Sequence, residues 1–282
     1  MAHPKGKLLE QLVSRNDVMT TWRSESAAEK GIVVLDQHGI FPLTYSNPQM
    51  SYVNLLGLYV YLSGTLNSRE SSSYTTVITR KKKQFHGLDD VFKEKLGLTL
   101  NTRSDGSMYL SDNGASYARL LHTLGFHINH GSENGKVQRK ALYGTTLPPY
   151  LVDIVNNYDA FSKTIQRGVR RFVSDFVSVW FDTKTFINPY LSGRINLMGQ
   201  PTEELFQEQA ELFARAIKIV YPEVEIDPQA DLIKYEIRGK MSGYFVLTTD
   251  RILQFPRHEY SPVRVRAEIK PRFTFQHTQF GG

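Results

Sequence analysis

Two apolar stretches constrain the fold of this chain more than any other feature. They run from Leu55 to Thr65 (LLGLYVYLSGT) and from Phe176 to Phe186 (FVSVWFDTKTF). The second closes a segment, from about Ala160 to Asp182, whose apolar residues recur at helical spacing. The first lies in Met50–Leu66, which is apolar almost all round, as expected of a helix buried between layers. Gly57 adds a small residue that would let a partner helix approach closely. We therefore predict two central helices packed against each other.

The segments that follow the two helices repeat one order of elements. In the first half we predict a strand at Tyr74–Thr79, a helix at Leu88–Leu96, a hairpin around Ser104–Gly106 and a helix at Asp112–Leu124. In the second half we predict a strand at Tyr190–Met198, a helix from Pro201 to Tyr221, a hairpin within Leu232–Thr248 and a short helix at Asp250–Phe255. Ahead of both, Gly31–Tyr45 predicts a short apolar strand and then a loop. The pattern favours an α+β fold built from two pseudo-repeated halves.

The two apolar stretches, and the LPPYL sequence at Leu147–Leu151 between the halves, resemble the LAGLIDADG homing endonucleases. The resemblance covers roughly Ser46 to Phe255. It implies two LAGLIDADG-like halves that form a saddle with one concave face, and a carboxylate for a catalytic metal at the lower end of each helix. The implied division is an N-terminal helical arm at 1–45, a first half at 46–150, a second half at 151–256 and a basic aromatic tail at 257–282.

Only one of the two expected carboxylates is present. Asp182 stands where the family's metal-binding acid would stand, whereas the first helix has no acid between Leu55 and Ser68, and Glu70 is the nearest. Hydrolysis of a phosphodiester by this route usually needs carboxylates from both helices to hold divalent cations. We therefore predict a protein that is not an enzyme and has no metal or cofactor. The alternative is a Mg²⁺-dependent DNA endonuclease that uses Asp182 and a second acid such as Glu70.

Basic residues point to a polyanionic partner. The net charge is +6, with a pI of about 9.3, which permits nucleic-acid binding without demanding it. Phosphate contacts by such residues give an affinity that falls steeply with salt. The predicted nucleic-acid-binding residues are Arg80, Lys81, Lys82, Lys83, Arg103, Arg194, Lys234, Arg238, Lys240, Arg264, Arg266, Lys270 and Arg272.

The C-terminal tail has an alternating pattern. Apolar residues from Val263 to Phe275 fall on odd positions and charged residues mostly on even ones, and five cations face two acids between Phe255 and Gly282, a net of +3. This indicates either a strand with a basic face or a flexible arm that orders on a nucleic acid or a protein. Arginine and aromatic residues that stack on unpaired bases favour RNA over DNA. A further alternative is a protein-assembly factor whose tail adds a strand to a partner.

Other classes of site are disfavoured. The chain has no cysteine, so disulfides and thiolate metal sites are excluded. His122, His127 and His130 do not have the spacing of a helical metal-binding pair, and no metal site is predicted there. No apolar run of about 18 residues is present, and the N-terminus lacks a secretory signal. We expect an intracellular, cytoplasmic protein that does not bind membranes; the resemblance leaves a phage protein open as its source.

Overall fold

The computed structural model describes residues 12–68, 74–78, 88–104, 106–126, 129–130, 148–187 and 192–248. The chain begins with two helices, α1 (Arg15–Met19) and α2 (Glu25–Gln37). Ser14 and Asp17 form a capping box at the start of α1, in which each side chain accepts the other residue's backbone N–H. These hydrogen bonds lower the pKa of Asp17. The strand predicted at Gly31 is wrong, since that segment is the second half of α2.

The first half is a long buried helix followed by a five-stranded sheet and two further helices. Its elements are α3 (Met50–Ser63), β1 (Gly64–Ser68), β2 (Tyr74–Ile78), α4 (Leu88–Leu96), β3 (Leu100–Thr102), β4 (Met108–Leu110), α5 (Gly114–Thr123) and β5 (Asn129–His130). The strand order is β3-β4-β2-β1-β5. Only β5 is parallel to its neighbour among these described strands.

The second half opens with an extra helix and then repeats the plan. Its elements are α6 (Pro149–Asn157), α7 (Lys163–Lys184), β6 (Thr185–Ile187), β7 (Ser192–Asn196), α8 (Glu203–Val220), β8 (Leu232–Glu236) and β9 (Met241–Thr248). The antiparallel strand order is β6-β7-β9-β8. Pro149 starts α6, as suits a residue whose missing N–H is not needed in a first helical turn.

The two halves have the same topology. In each, a long helix runs directly into the first strand, and the sheet order is first, second, fourth and third strand, with a helix between the second and third. β5 is an addition at the edge of the first sheet. The predicted α+β fold of two repeated halves is confirmed, whereas the predicted division into four segments stays a prediction.

Helices α3 and α7 form the central packed pair. The amide of Asn54, which is fully buried, donates to Asp175 Oδ2 at 3.1 Å, and the Tyr150 hydroxyl donates to Asn54 Oδ1 at 2.6 Å. Asn54 and Asp175 each lie nine residues before the last residue of their helix. The two helices therefore run level with each other, with equivalent residues in contact.

Two details of the first helix differ from expectation. The helix ends at Ser63 instead of Leu66, because Gly64 already pairs with Ile78 in the sheet. Gly57 does not serve the approach of α7, since a Cβ atom there would lie 2.2 Å from the ring of Phe126, beyond the end of α5. Its small size admits a side chain of its own half. No helix in the described residues has the length and hydropathy needed to span a membrane.

Candidate nucleic-acid interface

The second sheet has one face towards the core and one away from it. Ile195 of β7, Phe245 of β9 and Leu232 of β8 are buried and lie in register. Side chains alternate along a strand, so the intervening residues point away from the core. This outer face of the second sheet carries Arg194, Tyr244, Val246, Ile233, Tyr235 and, just beyond β8, Ile237.

Aromatic and apolar groups dominate this outer face. The guanidinium of Arg194 lies 5.0 Å from the centroid of the Tyr244 ring, and that ring is 6.3 Å from the ring of Tyr235. Ile233, Tyr235 and Ile237 are 45%, 43% and 53% exposed. A row of large exposed side chains on an edge strand indicates a contact surface, since isolated apolar residues are common but rows are not.

The turn between β8 and β9 holds a cation in an unusual conformation. Ile237 and Lys240 exchange backbone hydrogen bonds of 2.9 and 3.1 Å. The two central residues, Arg238 and Gly239, both have positive φ, 53° and 70°, as in a type I′ turn. Asparagine or glycine is the usual first central residue, and another residue there costs on the order of 1–3 kcal/mol. The hairpin therefore presents an exposed arginine at its tip at a cost in stability.

The first sheet carries a similar pair. Leu100, Met108 and Leu110 are buried, and Tyr109 points the other way, opposite Asn101. The guanidinium of Arg103 lies 5.4 Å from the centroid of the Tyr109 ring. Each sheet thus has an arginine over a tyrosine on the face that points away from the core.

The structure separates the cations predicted from sequence. Lys234 lies on the same side of β8 as Leu232 but is itself exposed, and its Nζ lies 3.0 Å from Glu203 at the start of α8. Lys240 is half-buried, and burial lowers its pKa. Arg103, Arg194 and Arg238 are exposed on the outer faces or at the hairpin tip. Outside the described residues lie Glu70, His127, Arg80, Lys81, Lys82, Lys83, Arg264, Arg266, Lys270 and Arg272.

Sequence reasoning missed Tyr244, Ile233 and Ile237 as members of the outer face. A signal was present, because Ile233, Tyr235 and Ile237 occupy alternate positions and so share one side of a strand. The sequence prediction instead named the charged residues of this hairpin, Lys234, Arg238 and Lys240.

Asp182 lies in the last turn of α7 and is 4% exposed. Burial raises the pKa of Tyr221 at the end of α8, and the nearby charge of Asp182 adds to the rise, while a hydrogen bond with Ser178 opposes it. The matching position in α3, also two residues before the helix end, is Tyr61. The acid therefore belongs to the interior of the second half, beside α8.

The residues that the structure describes do not fit the metal site implied by the resemblance. The last turn of α3 has no acid, and α7 ends on Lys184, two residues after Asp182. Among the described residues, no group of three or more histidine, aspartate and glutamate side chains is placed to hold a metal ion. The prediction that the protein uses no metal or cofactor stays a prediction.

Models of protein families and curated proteins give no match to this sequence. Among solved structures, the chain is similar to I-DmoI in complex with DNA and Ca, with 11% identity, a TM-score of 0.41, and 80% of this chain and 97% of that chain covered. It is similar to the homing endonuclease I-WcaI bound to its DNA recognition sequence, with 12% identity, a TM-score of 0.40, and 78% and 86% covered. These likenesses agree with the resemblance predicted from sequence, and at these values they concern the fold alone.

One prediction is corrected by this comparison. We predicted a protein that is not an enzyme, but I-DmoI and I-WcaI are both named as homing endonucleases, which are enzymes. This finding contradicts the predicted non-catalytic role.

Proposed function

We propose that this protein binds duplex DNA through the outer faces of its two sheets. The observation that carries the proposal is the arginine over a tyrosine on each of these faces, Arg103 with Tyr109 and Arg194 with Tyr244. A guanidinium group makes paired hydrogen bonds to phosphate or to the edge of guanine. The neighbouring rings and aliphatic groups suit contact with sugars and thymine methyl groups.

The hairpin of β8 and β9 is the element we place in the major groove. That groove, about 12 Å wide in B-DNA, admits a two-stranded ribbon. Arg238 would lead at the tip, and Tyr235 and Tyr244 would follow on the outer face. The A-form major groove of duplex RNA is deep and narrow and side chains cannot read it. The hairpin therefore supports duplex DNA over duplex RNA, and single-stranded RNA, which the tail favoured, is compared directly in the binding measurement below.

The variant Arg238→Asn separates an effect on DNA affinity from an effect on the stability of the fold. Asparagine tolerates positive φ better than arginine, so the melting temperature should stay the same or rise. The loss of one phosphate contact should weaken DNA binding several-fold and reduce the slope of log K against log salt by about 0.9. Fluorescence anisotropy with duplex DNA, duplex RNA and single-stranded RNA at several salt concentrations measures both.

Lys234→Gln is the matched control for this measurement, because Lys234 lies on the other side of the same hairpin. Its DNA affinity should fall less than that of Arg238→Asn. Equal losses for the two variants, or binding that is unchanged from low to high salt, would remove the proposed surface. Tighter binding to RNA than to DNA would reassign the nucleic acid.

Metal-dependent DNA cleavage is the second candidate function. Asp182 favours it, as a buried acid in the last turn before α7 enters β6. Among the described residues, the last turns of α3 and α7 together supply this one carboxylate. A site with two carboxylates would therefore need a second acid from another part of the chain.

A supercoiled-plasmid assay with magnesium or manganese tests this second candidate. If the protein cuts, Asp182→Asn should abolish the cutting while duplex binding persists. Asp175→Asn is the control, since an asparagine at 175 still accepts the hydrogen bond from Asn54. Cutting by Asp182→Asn at the wild-type rate would exclude Asp182, and no cutting by the wild type would leave DNA binding as the function.

A further inference from the structure

Helix α7 extends beyond its partner at the end away from the sheets. It has 22 residues and α3 has 14, and both run directly into the first strand of their sheet. The contact of Asn54 with Asp175 shows that the two helices are level. The first eight residues of α7, 163–170, therefore reach about 12 Å past the start of α3, and they lie about 20–30 Å along the helix from β6.

This extension and the helical turn that follows it are strongly amphipathic, with cations on one side. Lys163, Arg167, Arg170 and Arg171 are exposed, while the opposite side of the helix is buried at Gln166, Val169, Phe172 and Val173. At 100° per residue, the four cations fall within one third of the helix circumference. No acidic residue occurs from 160 to 174. We call these four residues the α7 basic face.

Two of its guanidinium groups are held in place by backbone carbonyls. Arg170 Nη2 donates to the oxygen of Val220 at 2.8 Å, at the end of α8, and Arg171 Nη2 donates to the oxygen of Tyr45 at 2.9 Å. A guanidinium has five N–H donors, so each contact occupies a part of its capacity. A side chain that is already restricted in the free protein loses less conformational entropy when it binds a ligand.

The helix surface beside the cations is open. A Cβ atom built on Gly168 meets nothing within 4 Å, so the surface about 60° round the helix from Arg171 has no covering neighbour in the described residues. An extended polyanion can approach the helix backbone there.

We propose that the α7 basic face binds the phosphate backbone of a second nucleic-acid segment. Guanidinium groups and phosphates form short, paired, charge-assisted hydrogen bonds, and four cations on about two and a half turns suit a repeating anion better than a single one. The distance from β6 separates this segment from the DNA proposed on the sheets. The protein would then hold two segments at once.

The test counts bound duplexes by sedimentation of a short fluorescent DNA duplex with the full chain. Wild type is expected to bind two. The double variant Lys163→Glu, Arg167→Glu, which leaves the two anchored arginines in place, is expected to bind one, with the second affinity lowered at least about tenfold and the salt slope reduced by about two. The control Arg23→Glu, Lys30→Glu makes the same change of charge at exposed positions of the N-terminal region and should still bind two.

Three outcomes overturn or separate the proposals. A single duplex bound by wild type, with unchanged affinity in the α7 double variant, overturns the α7 basic face. Displacement of DNA by poly-glutamate at a lower charge concentration than by competitor DNA also overturns it, in favour of an acidic protein partner. Weakened binding by the α7 double variant together with unchanged binding by Arg238→Asn supports the α7 basic face and removes the sheet interface.

Discussion

Trp180→Ala is expected to lower the free energy of unfolding by about 3–5 kcal/mol. Trp180 is fully buried, and its ring centroid lies 4.5 Å from that of Phe213 and 5.3 Å from that of Phe176. Its indole N–H donates to the oxygen of Asn196 at 2.9 Å. One side chain thus joins α7, α8 and β7. Its removal leaves a large cavity and removes the hydrogen bond to the Asn196 carbonyl.

Urea unfolding followed by circular dichroism measures this loss. Trp180→Phe keeps most of the ring packing and should cost clearly less. Val33→Ala, an apolar truncation at a position 51% exposed in α2, should stay within about 0.5 kcal/mol of wild type. A loss below about 1 kcal/mol for Trp180→Ala would contradict the central position of this residue.

Steep unfolding above pH 10 is the second large effect that we expect. Burial raises the pKa of the phenols of Tyr45, Tyr117 and Tyr150, and the charge of Asp175 adds to the rise at Tyr150. In the unfolded chain these groups ionise near pH 10. Because the folded state keeps their protons, the stability they contribute is complete below that pH and is lost as the pH rises. Each tyrosine contributes a slope of about 1.4 kcal/mol per pH unit, so the three together give about 4.

Tyr117→Phe isolates one part of this slope. The Tyr117 hydroxyl is buried and makes no hydrogen bond to the described residues, so its removal should leave stability at pH 7 unchanged or higher while reducing the alkaline slope by about 1.4 kcal/mol per pH unit. Phenol absorbance that titrates near pH 10 with the fold intact would contradict the burial of these groups.

Local pattern was sufficient for most elements of the two halves. The helix at Leu88–Leu96 was predicted with its observed ends, and the hairpin around Ser104–Gly106 joins β3 and β4 as expected. Acidic first turns, capping residues and glycine-containing turns act within a few residues, so they are visible in the chain itself.

Packing overrode local preference at the N-terminus. The β-branched Gly31–Leu35 is helical, because Ser24 caps the helix and Leu35 and Ile32 are buried on one side of it. Gly31 lies against the ring of Trp22, where a Cβ atom would be 2.3 Å away. Ser24 and Trp22, which favour the helix, lie outside Gly31–Leu35, so this segment alone did not indicate a helix.

The candidate sites show the same division. Composition and position predicted that cations of the second half bind nucleic acid, but the sequence did not distinguish the role of Lys234 from that of Arg238. Their different roles follow from strand register, which turns Lys234 towards Glu203 and leaves Arg238 at the hairpin tip. The sequence did not indicate the α7 basic face as a separate surface, because the extension of α7 past α3 depends on where α3 begins.

The sequence by itself determined the duplicated order of helices and strands, because apolar periodicity and turn chemistry are local properties of the chain. The tertiary structure alone decided which cations face outward, which residue of α3 occupies the position equivalent to Asp182, and how far α7 extends past α3. These depend on contacts between residues more than 120 positions apart, as in Asn54 with Asp175 and Tyr45 with Arg171, and such contacts form only when the two halves pack together.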